Sequence, residues 1–396
     1  MVVLSLSQAE IERLNNFNNY VNSFQQSAPT RVIPNTPILL NQQVSSEPVI
    51  LIPVVVHVIH NTDAQNISDA QIRSQIDVLN EDFRRANSDA SQTPARFGTA
   101  DTRIQFYLAC KDPDGNPTNG IERFRTSAIG FTLNNLDAVK QAGVGLPAWD
   151  SNKYLNIWSC NFIDATLGVA TFPISLANRP NFDGIVVRFN ALGKTGNLLP
   201  AFNLGRTATH EVGHWLNLIH IWGDDDLDNY APNGAYIGDI LGNDCNGTDE
   251  VADTPNQAIS TNGCPNVVAG CTPGEQAMFM NYMDYTDDRC MNAFTFGQKI
   301  RMRANFDTGQ PRGAFQKQEY SISGPAILGS YQINGNQLSV VFPERTYTLN
   351  GNLPAGAVTT WSVGPGVTHL LPPPVRCRPT PVIPFRSKKR VSGCRR

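Results

Sequence analysis

Residues 210–220 read HEVGHWLNLIH, and no other stretch limits so strongly what this chain can fold into. His210 and His214 are four residues apart, so on an α-helix both rings leave one face, a turn apart, and can fill two positions of a tetrahedral zinc. Glu211 is rotated by about 100° from His210 and can reach a water held on such an ion. Zinc lowers the pKa of that water toward ~7, and the carboxylate takes its proton as the water attacks a carbonyl. His220 lies off that helical face and joins only if the helix ends after His214. The spacing therefore predicts a helix over residues 203–217 and a sharp turn at Asn217. Such a turn needs a left-handed backbone, which glycine adopts freely and asparagine tolerates. The bland alternative is a chance grouping of helix histidines, improbable with only six histidines in 396 residues. A zinc helix completed by a distant glutamate is the other rival, and it leaves His220 without a role.

The motif sits in an unusual electrostatic setting. Fourteen Asp and Glu, and no Lys or Arg, lie between Arg206 and Arg289, so the rest of the chain carries about +11 to reach the net −3. Such a block repels itself unless it is disordered or holds cations. Four of the eight cysteines (Cys245, Cys264, Cys271 and Cys290) fall within 46 residues, three inside it and Cys290 just past its end, in Gly-, Pro- and Asn-rich sequence. That pattern favours disulfides and an oxidising compartment; a structural zinc site is the rival, but there is no C-x-x-C pair. No apolar run approaches the 18 or so residues of a membrane span. The opening MVVLSLSQAEIERL lacks the features of a signal peptide.

The remaining pattern predicts an α+β layer structure. ILIPVVVHVIH (50–60) is a buried strand, with His57 and His60 as structural residues. IQFYLAC (104–110), YLNIWSCNF (154–162), GVATFP (168–173) and GIVVRF (184–189) are further strands. Ser68 and Gln71 form a capping-box pattern before a helix with Ile72, Ile76, Leu79 and Phe83 on one face. A short helix is expected in SQAEIERLNNFNNYVNSF and a closing one in FTFGQKIRMRANF (294–306), with irregular chain over 221–294. Cys110 and Cys160 are either bonded to each other or buried thiols. The expected organisation is a prosegment remnant over 1–48, a catalytic domain over 49–317, a partial Ig-like β-sandwich module over 318–369 and a basic, Pro-rich, disordered tail over 370–396.

The motif H-E-x-x-H-x-x-N-x-x-H, followed by MNYMDY (280–285), resembles the signature of the metzincin metalloproteases, with asparagine where the family has glycine. The text RTATHEVGHWLNLIHIWGD, DEVADTPNQ and NYMDYTDDRCMNAFTFGQ is similar to the pappalysin family, in particular its ulilysin- and cytophagalysin-like members, over about residues 50–307. The resemblance implies a zincin fold: a twisted mixed sheet, a backing helix, an active-site helix and an irregular C-terminal subdomain. It implies His210, His214 and His220 as zinc ligands, Glu211 as general base and Met283 as the methionine beneath the metal. Tyr285 would steady the oxyanion, or else be a core tyrosine. Gly168, Val169 and Ala170 would form a rim strand that pairs with extended substrate. Cys245–Cys271 and Cys264–Cys290 follow the family's disulfides. Asp249, Thr254 and Gln257 match a calcium site, unless Asp249 is merely exposed. Asp288 matches the acidic floor of the pocket for the residue after the scissile bond, offering a bidentate partner to arginine and a poorer one to lysine; a surface residue paired with Arg289 is the alternative. The stretch 223–244 would bind a second cation or form a flap. Relatives often silence the metal with a prosegment cysteine, yet none precedes Cys110.

The expected function is that of a secreted zinc endopeptidase cutting before Arg, then Lys, with protein or peptide substrates, no nucleic acid and no membrane span. Two other classes compete: an adhesion protein carrying a relict zinc domain, and a zinc hydrolase of non-peptide amides. A relict would lose its base first, and Glu211 is intact.

Overall fold

Nearly every side chain of ILIPVVVHVIH is buried, and a strand buried on both faces must lie inside a sheet. This strand, β1 (Ile50–His60), has neighbours on both edges. The computed structural model describes residues 8–27, 47–223, 245 and 247–315, and the backbone of four strands between 321 and 350. Expectations for the acidic stretch 224–244 and for the tail 370–396, which contains Cys377 and Cys394, lie outside the described residues. β2 (Ile104–Leu108) and β3 (Ile121–Arg125) pair with the first and second halves of one β1 edge, and β4 (Leu155–Cys160) takes the other, all parallel. Beyond β4 come β6 (Ile185–Arg188), parallel, and β5 (Gly168–Ala170), antiparallel. The mixed sheet thus has the order β2-β1-β4-β6-β5. β3 was not legible from its sequence: IERFR carries three charges in five half-exposed or exposed residues.

One face of the sheet is covered by two helices. In α2 (Asp69–Phe83), the stripe Ile72, Ile76, Leu79 and Phe83 packs on Ile52, Val54 and Val56. α3 (Arg206–Trp215) adds Ala208, Val212 and Trp215 to the same cluster. On the other face, Phe131, Val139, Trp158, Cys160 and Val186 form a second cluster under irregular chain. Only half of the expected capping box forms at α2: Ser68 Oγ accepts the Gln71 N–H at 3.1 Å. The Gln71 amide is spent elsewhere, donating to the carbonyls of Phe189 and Leu192 at 3.0 and 2.9 Å, which ties the segment before α3 to α2.

His57 is structural as expected, buried between Asn156 Oδ1 at 3.0 Å and Glu122 Oε2 at 2.8 Å. The Cys110–Cys160 option is corrected: Cys160 is a free, buried thiol and Cys110 is disulfide-bonded elsewhere. Topology explains this, because β1 separates β2 from β4. Two inter-strand spacings, about 9.6 Å, exceed the ~7 Å that a disulfide can bridge between Cα atoms. Cys245–Cys271 and Cys264–Cys290 are both bonded and staple the irregular chain before α4 (Phe296–Ala304).

The N-terminal helix α1 (Gln8–Ser27) lays Phe17 and Val21 against Ala304 and Ile300 of α4, and the Tyr20 hydroxyl donates to Asp307 Oδ2 at 2.8 Å. Past α4, β7 (Ser321–Ile322), β8 (Ser330–Asn334), β9 (Gln337–Val341) and β10 (Thr346–Asn350) form an antiparallel sheet in the order β7-β10-β9-β8.

Candidate active site

α3 ends at Trp215 and not at residue 217, and the chain turns away at Asn217, whose φ of +72° lies in the left-handed region. That turn returns His220 to the helix. The three Nε2 atoms then lie 3.0 Å (His210–His214), 3.1 Å (His214–His220) and 3.3 Å (His210–His220) apart, and all three residues are buried. Among the described residues this is the one group of three or more His, Cys, Asp or Glu side chains gathered in this way.

The hydrogen bonds behind the rings fix their tautomers. His210 Nδ1 donates to the Tyr282 carbonyl at 2.7 Å and His214 Nδ1 to the Leu218 carbonyl at 2.8 Å; a carbonyl only accepts, so each Nδ1 holds the proton. Each Nε2 therefore presents its lone pair to the others. Burial also holds His220 well below the ordinary histidine range, so it too is neutral. The lone pairs of His210 and His214, 3.0 Å apart, repel one another unless a cation or a donated proton lies between them. The edge of a tetrahedron with ~2.05 Å metal–nitrogen bonds is about 3.3 Å, close to the spacings found, so the site fits zinc and could hold it.

Glu211 sits beside this cluster, buried, with Oε2 lacking a hydrogen-bond partner. Burial pushes its carboxyl up to about 8; a cation on the histidines would pull it back down. β5 passes directly over it: a Cβ on Gly168 would meet Glu211 Cγ and Oε1 at 2.6 Å. On the far side of the helix a Cβ on Gly213 would run into the Met283 sulfur, so Met283, fully buried, packs under α3. Tyr285 is not a core tyrosine. It is 37% exposed, with its ring 5.6 Å from that of His210 and 4.8 Å from that of His220.

A cavity of about 300 Å³ opens on Glu211, lined among others by Leu133, Gly168, Val169, Phe202, Tyr285 and Asp288. Ala170 instead packs against the core. A larger hollow of about 600 Å³ lies between α1 and the chain around Pro173 and Pro311, away from Glu211. Asp288 is buried and is not a surface partner of Arg289, which approaches Asp287 at 3.6 Å. Its Oδ2 accepts the N–H groups of Leu204 at 2.8 Å and Arg206 at 3.2 Å, whereas Oδ1 has no partner. One oxygen is thus committed to the start of α3, which leaves a single acceptor where the sequence suggested two. Burial pushes this carboxyl up to about 6.

Asp249 is buried, contrary to the exposed alternative; both carboxylate oxygens lie 2.8 Å from the Thr254 hydroxyl, and burial pushes the carboxyl up to about 8. Gln257 points its amide nitrogen at Asp284 Oδ2, 3.1 Å away, and leaves Oε1 buried without a partner. In the block without Lys or Arg, several carboxylates are met by polar hydrogens of their own surroundings. Asp253 accepts the Gly297 N–H and the Thr295 hydroxyl, and Asp284 accepts the N–H groups of Thr261 and Tyr285.

Sequence reasoning missed the charged residues packed behind the site. Buried Arg206 and Asp82 meet half-buried Asp89 at the start of α3, and buried Asp183 and Arg312 pair at its end. No local spacing signals either group, because the partners are far apart in the chain.

A sheet with an antiparallel edge strand over a helix bearing two histidines and a glutamate, with a third histidine turned back onto them, defines a metallopeptidase of the zincin class. Residues 139–307 match the family described as Pregnancy-associated plasma protein-A (Peptidase_M43). The chain is 30% identical over 258 residues to an extracellular metalloprotease of Arthroderma otae, covering 64% of this chain and 76% of that one. Among solved structures it is similar to Tannerella forsythia mature mirolysin in complex with a cleaved peptide (50% identity, TM-score 0.62, 67% of this chain and 95% of that one). A mutant of promirolysin from the same organism is similar at 45% identity and TM-score 0.65, over 77% of this chain and 91% of that one. The chain belongs to the pappalysin family of metzincin metalloproteases and is a metalloendopeptidase.

Proposed function

We propose that the protein is a secreted zinc endopeptidase that cuts polypeptides ahead of a basic residue. The observation that carries this reading is the buried triangle of Nε2 atoms beside an unpartnered Glu211 oxygen. His210, His214 and His220 would hold zinc. The ion, when bound, supplies a Lewis acid that polarises a scissile carbonyl and acidifies water. Glu211 takes the proton from the attacking water and delivers it to the leaving amine, a task suited to a buried carboxylate whose proton affinity lies near neutrality. Tyr285, half-exposed at the cleft, donates its hydroxyl to the developing oxyanion. β5 pairs only with β6 among the described residues, so its outer edge is available to an extended peptide.

Asp288 Oδ1 would accept the basic side chain following the scissile bond. With one oxygen available the contact is single, so arginine outranks lysine by less than a two-pronged contact would give. Asp249, Thr254 and Gln257 would supply oxygens to calcium; the unpartnered Gln257 Oε1 supports this. The extracellular relatives and the two disulfides support secretion.

The test incubates the protein with a peptide library, with and without chelator, and identifies the cut sites. Glu211→Ala should retain about one zinc per chain, as its ligands are untouched, while losing activity by orders of magnitude. Active protein free of zinc, or full activity in Glu211→Ala, contradicts the reading.

A further inference from the structure

Arg206 opens α3 with its side chain turned inward and only 5% of its surface exposed. Its guanidinium makes two bonds to Asp89, Nη1–Oδ2 at 2.6 Å and Nη2–Oδ1 at 2.8 Å, and lies 3.6 Å from Asp82 Oδ1. Nη1 also donates to the backbone carbonyl of Asp288 at 2.7 Å. The backbone N–H of the same residue donates to Asp288 Oδ2. Arg206 therefore grips Asp288 twice, at its carbonyl and at its carboxylate, and Asp89 holds the guanidinium in place.

A buried ionic group of this kind is a poor way to gain stability, because desolvation consumes most of the attraction. What it does supply is position. Asp288 has two carboxylate oxygens and lines the cleft; which of them faces it depends on the rotation of that side chain. The backbone grip of Leu204 and Arg206 on Oδ2 leaves Oδ1 as the unpartnered one, and the guanidinium keeps the Asp288 backbone where that grip can form.

We propose that Arg206, braced by Asp89, is a positioning residue for substrate selection: it holds Asp288 so that one carboxylate oxygen meets the basic side chain after the scissile bond. This rests on the reading of Asp288 as the acceptor in that pocket, and the test separates the two claims. Three variants, Arg206→Lys, Asp89→Asn and Asp288→Ala, are compared with the parent on matched peptides bearing Arg or Leu after the cut, with zinc content measured throughout. Lysine keeps the charge but cannot hold both Asp89 oxygens and the Asp288 carbonyl at once. Arg206→Lys should lower the Arg-over-Leu ratio of kcat/KM at least tenfold, mainly through KM for the Arg peptide, with one zinc per chain retained. Asp89→Asn should lower it about threefold, which keeps the test usable if Arg206→Lys folds poorly. A role in folding alone would depress both peptides equally. If Asp288→Ala collapses the ratio while both other variants keep it, the positioning role is overturned. If Asp288→Ala itself leaves the ratio unchanged, the reading of the pocket fails first.

Discussion

At Gly168 the absence of a side chain is what allows β5 and Glu211 to share one space. A methyl group there would overlap Glu211 Cγ and Oε1, and Glu211 is hemmed in by burial. Either β5 or the carboxylate must move, and a misplacement of about 1 Å near the chemistry costs up to 10²-fold. Gly168→Ala should therefore lose more than tenfold in kcat with zinc content unchanged. Parent-like turnover would mean the strand yields without disturbing Glu211. Asn217 is the opposite kind of residue: its side chain is tolerated where its backbone is required. The left-handed φ could be anticipated from the His214–His220 spacing alone, since a continuing helix would carry His220 away.

At the scale of elements, the end of α3 is held by side chains from well beyond it. Arg312 Nε donates to the Trp215 carbonyl at 2.9 Å, Asn305 Nδ2 to that of Leu216 at 2.8 Å, and Arg301 Nε to that of Asn217 at 2.7 Å. These are the carbonyls a helix leaves unsatisfied as it ends. Arg312 also pairs with Asp183 through two bonds of 3.0 Å, both residues fully buried, and stacks over the Trp215 ring at 3.5 Å. Removing one member leaves a buried charge without its partner. Arg312→Ala should thus cost about 3–5 kcal/mol of stability in chemical denaturation, and the double variant Arg312→Met, Asp183→Asn should cost less than the single one. Equal losses would show that packing on Trp215, and not the ion pair, sets the effect. The helix itself was legible from its histidines. What holds its far end was not, because Asp183 and Arg312 are 129 residues apart and look like any surface charges in the sequence.

For the whole molecule, the buried carboxylates link stability to pH. Burial outweighs Arg206, Tyr282 and Thr209 at Asp82 and pushes its carboxyl from 3.8 to about 6. The native state then binds a proton more tightly than the unfolded chain. The associated stability is fully present below about 3.8 and is lost as pH rises through about 6. The contribution is on the order of 3 kcal/mol at most. Asp82→Asn should flatten the dependence of unfolding free energy on pH between about 4 and 7; an unchanged slope would assign it to other groups. Calcium would enter the same balance. If it binds at Asp249, Thr254 and Gln257 it favours the folded form by mass action, and a calcium-selective chelator should lower the melting temperature. A melting curve indifferent to calcium would leave the cluster as a hydrogen-bonded structural site.

What the sequence determined by itself is the chemistry: three histidines, a glutamate and a turn, all within eleven residues, where helical geometry converts spacing directly into position. The same locality made β1 legible as a run of buried β-branched residues. Tertiary structure alone decided which carboxylates serve which purpose. Asp288 could be read as a two-pronged acceptor until folding committed one oxygen to the N–H groups of Leu204 and Arg206. Asp82 and Asp183 became structural because burial removed their water and brought hydroxyls, a tryptophan N–H and guanidinium groups from distant chain to replace it. A charged residue has no periodicity that marks it for burial. Its role depends on the partners that meet it once the chain has closed, and those partners are set by topology.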